Sequence, residues 1–311
     1  MFTTQISIIM PCYNGMRHIQ AAIDSVLTQT FDDFELIVVD NGSTDCTPEI
    51  LGSVNDHRLR VLSLPERGVS RARNLGLREA SGAFIAFLDS DDTWNATFLE
   101  KMHTALASDS KAVLAYCGWQ NLGLPGLRGE PFVPPDYENP DKAASLLGGC
   151  RWPIHACLTR HAAIIEAGGF NTRFTIAEDY LLWMEVSAIG TIIRVPEVLA
   201  QYHHHDGVQA TRSLALAALD TLRAKQLFLR RHPEIAKQLG PDRIESLTWD
   251  KLIQQGNALH WQGGIENSRP IFRKVLLAGH GSLSAKLRML PSLLPLSVHR
   301  AIVAAKEWLN F

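Results

Sequence analysis

What most constrains this chain is a pattern in its first third. Short runs rich in Ile, Val and Phe, namely ISIIM (6–10), ELIVV (35–39), RLRVLSL (58–64) and AFIAFLD (83–89), alternate with stretches of helical period at 17–28, from 47, and at 69–80. Strands that are apolar along their whole length are buried on both faces, and strands alternating with helices build a mostly parallel sheet flanked by helices. The expected fold class is therefore α/β. Ligands of such sheets bind beyond the carboxyl ends of the strands. Here those ends run into PCYNG, DNGSTD and DSDD, so the chemistry is to be sought there.

From about 95 to 211 the pattern is a less regular α+β one: a helix at 96–107, a strand VLAYC, and a Gly/Pro-rich loop at 118–140. A loop of that length is usually a lid, a binding surface or disordered. There follow a helix near 142–147, a strand HACLTR, a helix HAAIIEAG closed by Gly168 and Gly169, a helix at 178–187, and strands TIIRV and VLAQYH. Beyond 212 strand signals stop. Helices are expected at 214–231, 243–261 and 265–278, with two shorter ones divided by Pro291 and Pro295. The expected domains are an α/β domain over 1–211 and a helical C-terminal subdomain over 212–311.

Charge and cysteine content exclude several classes. Thirty Lys and Arg against 32 Asp and Glu give a net charge of −2, with no basic run of the kind that nucleic-acid binders carry. Five cysteines without a CxxC pair indicate neither a disulfide framework nor a zinc site, and fit a reducing cytoplasm. The N-terminus has no basic region before its apolar run, which Pro11 interrupts, so no secretory signal is expected. Nowhere do 18 apolar residues run together. Near the C-terminus Lys286, Arg288, Arg300 and Lys306 accompany Leu283, Leu287, Leu290, Leu293, Leu294, Ile302, Val303, Trp308 and Phe311. Such an end either makes a peripheral contact with an anionic membrane or packs as ordinary helices.

DSDD, residues 89–92, is the sharpest local feature. Residues two apart in extended chain point the same way, so Asp89 and Asp91 can converge on one cation, and hard oxygen donors suit Mg²⁺ or Mn²⁺. The competing reading is a cap for the helix beginning near Asn95. In DNGSTD, Asp40 can accept hydrogen bonds from a base or ribose, or simply open a turn. In PCYNG, Tyr13 can stack on a base and Asn14 can bond it.

The order of the motifs is more specific than any one of them. SIIMPCYNG, LIVVDNGSTD, GVSRARNLG (68–76), AFLDSDD and AEDYLLW (177–183) together resemble glycosyltransferase family 2, over about residues 5–211. The resemblance implies a GT-A-like fold and an inverting, nucleotide-sugar-dependent transfer. By that resemblance, Pro11 and Tyr13 frame the base with Asn14 beside it, Asp40 holds the base, and Arg73 lies along the nucleotide. Asp89 contacts ribose or metal, Asp91 ligates a divalent ion (Mn²⁺ or Mg²⁺), and Asp179 of the Glu178-Asp179 pair is the general base. The expected donor is a UDP-sugar and the expected acceptor a glycan, a polysaccharide or a lipid-linked chain. That places the enzyme in the cytoplasm or at the inner face of the membrane.

QYHHHDG (201–207) departs from the family pattern. By the resemblance, His205 aligns with a residue that completes the metal site or touches the diphosphate, whereas His203 stands where the family usually has Arg, and a neutral imidazole lacks that residue's charge and fork. Two rival readings fit the sequence less well. A nucleotidyltransferase would need a Gly-rich, basic loop where PCYNG stands. A catalytically degenerate binding or assembly module sits poorly with intact Asp40, Asp89, Asp91 and Asp179.

Overall fold

In a computed structural model, residues 4–205 and 213–309 are described. Eight strands form one mixed sheet: β1 (Thr4–Cys12), β2 (Phe34–Asp40), β3 (Leu59–Ser63), β4 (Gly82–Phe87), β5 (Thr93–Trp94), β6 (Ala112–Leu122), β7 (Cys157–Arg160) and β8 (Thr191–His203), in the spatial order β3-β2-β1-β4-β7-β6-β8-β5. The first four strands pair in parallel, as their apolar runs predict. The other half departs from that pattern: β7 runs antiparallel to both β4 and β6, and β5 antiparallel to β8.

The centre of the sheet is dry on both faces, with Ile6, Ile8, Ile9 and Met10 of β1 and Leu36 to Val39 of β2 fully buried. Helices α1 (Ile19–Leu27), α2 (Thr47–Ser53), α3 (Val69–Glu79), α4 (Phe98–Ser108), α5 (Lys142–Leu147), α6 (His161–Glu166) and α7 (Glu178–Ile189) connect the strands. Spacing explains the first: α1 buries Ile19, Ala22, Ile23 and Val26, the i, i+3, i+4, i+7 stripe of a helix lying on a sheet. Close approach explains Gly76 on α3, where a Cβ would lie 2.5 Å from Ile9 Cγ2.

Three local expectations are revised. TIIRV and VLAQYH form the single strand β8, whose register against β6 slips between Cys117/Val195 and Gly118/Val198. The extra residues there are Pro196 and Glu197, and a proline that cannot donate to the ladder is tolerated at such a bulge. The helix expected from 96 begins at Phe98, because Thr93 and Trp94 pair with Gln201 and Ala200 of β8. The loop at 118–140 starts only after β6 ends at Leu122, and Phe132 bridges back to Trp119.

The chain divides into two compact units, Met1–Leu146 with Cys150–Gly207, and Leu147–Gly149 with Val208–Phe311. The boundary expected after Thr211 lies outside the described residues, as do the side chains of Lys306, Trp308 and Phe311. The second unit is helical as expected: α8 (Leu214–Arg231), α9 (Pro233–Leu239), α10 (Pro241–Glu245), α11 (Lys251–Gly263), α12 (Ile265–Leu277), α13 (Leu283–Met289) and α14 (Leu296–Leu309). Leu222, Trp249, Leu252, Ile271, Phe272, Val275 and Met289 form its own core. The helix expected at 243–261 is interrupted by a π turn at Ser246–Asp250. Among the described residues no helix is long and apolar enough to cross a membrane.

Candidate active site

The motif residues gather at the carboxyl ends of β1, β2 and β4. Pro11 is buried in β1, opposite Val39 of β2, and Cys12 pairs with Asp40. Just beyond, Tyr13 is 41% exposed, with the Arg67 guanidinium 4.3 Å from its ring centroid, so its free face is open to a planar ligand. Asn14 adopts the left-handed backbone (φ 51°) and joins the two strand ends. Its N–H donates to Ser43 Oγ at 2.9 Å, and its Oδ1 accepts from Thr44 N at 2.8 Å. Asp40 Oδ1 accepts from Ser43 N at 3.1 Å, which ties the carboxylate to the loop that follows β2.

A second group surrounds Arg73, on the buried side of α3 and only 3% exposed. Its Nη2 donates to Asp89 Oδ1 at 2.7 Å and its Nη1 to Glu178 Oε1 at 2.8 Å. Burial works against the guanidinium charge, but Asp89 and Glu178 outweigh it and hold the pKa above its ordinary value. One guanidinium is thus shared between the end of β4 and the start of α7. Burial, then the neighbouring Asp179, push Glu178 up to about 7 despite Arg73. Asp179, partly exposed beside it, is also raised by burial, partly offset by Arg73 and by the Tyr180 N–H that donates to its Oδ1 at 2.6 Å. Ala177, just before α7, takes a left-handed backbone (φ 66°), a strained conformation for alanine at the point where the acidic pair is presented.

The acids of DSDD do not lie in extended chain. β4 ends at Phe87, and a turn closes with Asp92 N donating to Asp89 O at 3.1 Å, so Asp89 and Asp91 come together through the turn rather than by strand alternation. Helix α4 takes its N-cap from Thr97, which removes the capping explanation for DSDD. Asp91 Oδ2 lies 3.0 Å from His205 Nε2, and the His18 ring stacks on His205 at 4.6 Å. Burial, then Asp89 and Asp92, raise the Asp91 carboxyl above its ordinary value.

Asp92 has a different occupation. It is 1% exposed, its Oδ1 accepts from His203 N at 2.9 Å, and its Oδ2 lies 2.9 Å from Nδ1 of the buried His155. Burial opposes a charge on His155, but Asp92 outweighs it and holds the imidazole pKa above its usual value. His203 Nε2 is 2.9 Å from Thr93 Oγ1, so the imidazole standing in place of the family's Arg is turned toward the β5–β8 junction.

The donor chemistry of Asp89, Asp91 and His205 fits a hard divalent cation, since acidic groups outnumber cationic ones around them. Among the described residues no three His, Cys, Asp or Glu side chains are disposed as a ready cage. Mg²⁺-type sites need only one or two carboxylates and complete their shell with water and substrate phosphate.

Sequence reasoning missed two residues that organise the site. Asn41 is buried; its Nδ2 donates to Leu64 O at 3.2 Å and Glu66 O at 2.6 Å, while its Oδ1 accepts from Gly68 N at 2.7 Å. It ties the β2 exit to the loop that leads into α3. Asn74 does the same for the segment Gly168-Gly169-Phe170, exchanging hydrogen bonds of 2.8 and 3.0 Å with Phe170 O and N. The only sequence signal for either was its neighbour, Asp40 or Arg73.

Comparison with known proteins finds relatives among glycosyltransferases. The sequence profile described as Glycosyl transferase family 2 matches residues 7–127. The chain is 36% identical, over 182 residues, to UDP-Glc:alpha-D-GlcNAc-diphosphoundecaprenol beta-1,3-glucosyltransferase WfgD of Escherichia coli, a match covering 58% of this chain and 69% of that protein. Its fold is similar to that of S. aureus TarS 1-349 in complex with UDP-GlcNAc, with a TM-score of 0.60 at 19% identity, covering 89% of this chain and 92% of the other. It is also similar to mannosyltransferase PcManGT from Pyrobaculum calidifontis in complex with GDP-Man and Mn²⁺, with a TM-score of 0.59 at 18% identity over 99% and 85% of the two chains.

Proposed function

The chain belongs to glycosyltransferase family 2, whose members transfer sugars, and on that premise we propose that it is a metal-dependent, inverting enzyme that moves a sugar from a UDP-sugar to a hydroxyl of a glycan or lipid-linked acceptor. The observation that carries this reading is the bridge made by Arg73, which links Asp89 at the end of β4 to Glu178 beside Asp179. Donor-side and acceptor-side acids thereby share one site.

In this reading Tyr13 stacks on the base within a frame set by Pro11, while Asn14 and Asp40 offer hydrogen bonds at the β1 and β2 exits. Asp91, with Asp89 and His205 beside it, would hold a divalent ion, which when bound would supply positive charge against the diphosphate. Asp179 accepts the proton of the attacking hydroxyl, a role typically worth about 10²–10⁴-fold in rate. Burial favours that step, because a carboxylate raised above its usual pKa is a stronger base. Arg73 orients Asp89 and Glu178 and keeps them from repelling one another. One base and one displacement give inversion at the anomeric carbon. WfgD is named for a UDP-glucose donor and a diphosphoundecaprenol-linked acceptor, which supports a UDP-sugar and a lipid-linked chain here.

Calorimetric titration with UDP, GDP and dTDP, each with Mn²⁺ and again with EDTA, tests the donor half. UDP is expected to bind tightest, and only with the metal. Absence of binding to all three overturns the reading.

A further inference from the structure

Of the two fates that the C-terminal sequence leaves open, packing or membrane contact, the exposed leucines of α13 bear on the choice. Leu283, Leu287 and Leu290 are 75%, 58% and 47% exposed. They follow an i, i+4, i+7 spacing, so they share one helix face, while Ala285 and Met289 are buried from the other. Leu293 and Leu294 continue the apolar surface through the turn before α14, each about two-fifths exposed. α13 thus packs on its own unit through Ala285 and Met289 and leaves its leucine face exposed.

Along the chain, the charges beside this face are of one sign, although Arg300 pairs with Glu266, just before this stretch. Between Asn267 and Lys306 there are seven Lys and Arg residues and no Asp or Glu. Lys286 and Arg288 flank Leu287, and Arg288 pairs with no carboxylate among the described residues. The chain as a whole carries a net charge of −2, so this basic excess is local. An exposed leucine face with Lys286 and Arg288 on either side of Leu287 along the helix matches a surface that is apolar within and anionic outside.

We propose that α13 and the turn that follows it dock on a membrane rich in anionic lipid, with the leucines entering the acyl boundary and Lys286 and Arg288 meeting the headgroups. The geometry stands by itself; it rests on the proposed function only in that a lipid-linked acceptor would lie at such a surface.

The test is co-sedimentation of the full chain with phosphatidylglycerol-containing vesicles and with pure phosphatidylcholine vesicles, alongside UDP titration of the same samples. Wild-type protein is expected to bind the anionic vesicles and to be released by salt. Leu287→Asp with Leu290→Asp should reduce vesicle binding at least tenfold, and Lys286→Glu with Arg288→Glu by more than about fivefold per charge. All four positions are outside the proposed donor site, so UDP binding should stay unchanged in both variants. Failure of the wild type to bind anionic vesicles, or vesicle binding that neither variant weakens, overturns the proposal. So does a concentration-dependent dimer in light scattering that the leucine variant abolishes, because the face would then belong to a second copy. Loss of UDP binding in the wild type would instead count against the proposed function and leave the vesicle result standing.

Discussion

Arg73 Nη1 donates to Glu178 Oε1 at 2.8 Å across 105 residues of chain, and both side chains are nearly excluded from water. The same guanidinium reaches Asp89, so α3, the end of β4 and the start of α7 are joined through a single buried cation. Breaking a buried ion pair from one side leaves an uncompensated charge, which typically costs about 3–5 kcal/mol. That bridge frames the first two of the expected outcomes below.

Asp179→Asn is expected to lower the transfer rate by about 10²–10⁴-fold while leaving nucleotide affinity within a few-fold of wild type. Single-turnover transfer measured beside UDP titration checks this. Full transfer by the variant would remove Asp179 as the base.

Glu178 sets a pH dependence of stability. Its pKa rises from an ordinary 4.5 to about 7 on folding, so its contribution is fully present below about 4.5 and is lost as the pH climbs through about 7. Urea midpoints should therefore fall between pH 5 and 8 in the wild type. Glu178→Gln, which keeps an acceptor for Arg73 without the charge, should flatten that slope. An unchanged slope would assign the pH dependence elsewhere.

Adjacent aspartates of DSDD should behave in opposite ways. Asp91, partly exposed and crowded by like charges, should tolerate Asp91→Asn within about 1 kcal/mol of stability but lose Mn²⁺-dependent UDP binding. Asp92→Ala strands the buried His155 and the His203 N–H and should cost about 3–5 kcal/mol. Thermal unfolding together with calorimetry separates the two, and equal destabilisation would contradict this division of roles.

Asn41→Ala removes three hydrogen bonds that clamp residues 64–68 and should cost about 2–3 kcal/mol, since it leaves a buried N–H and carbonyl groups unpaired. Because the same loop carries Arg67 onto Tyr13, UDP affinity should fall as well. Retained affinity at full occupancy of the folded state would detach this loop from the donor site.

What the sequence determined by itself was local or strictly ordered. Uninterrupted Ile and Val runs can be satisfied only by burial on both faces, which made β1, β2 and β4 legible, and five motifs in fixed order carried the family and its candidate reactive residues. What tertiary structure decided is where a polar side chain spends its hydrogen bonds, because that depends on partners distant in sequence. Asp91 and Asp92 are adjacent and chemically identical, yet one faces His205 at the rim and the other is buried against His155, and Asn41 becomes a clamp only when β2 meets the loop before α3. The same holds for α13: its leucines could be core or surface until folding left them exposed, since periodicity states which residues share a face and not what covers it.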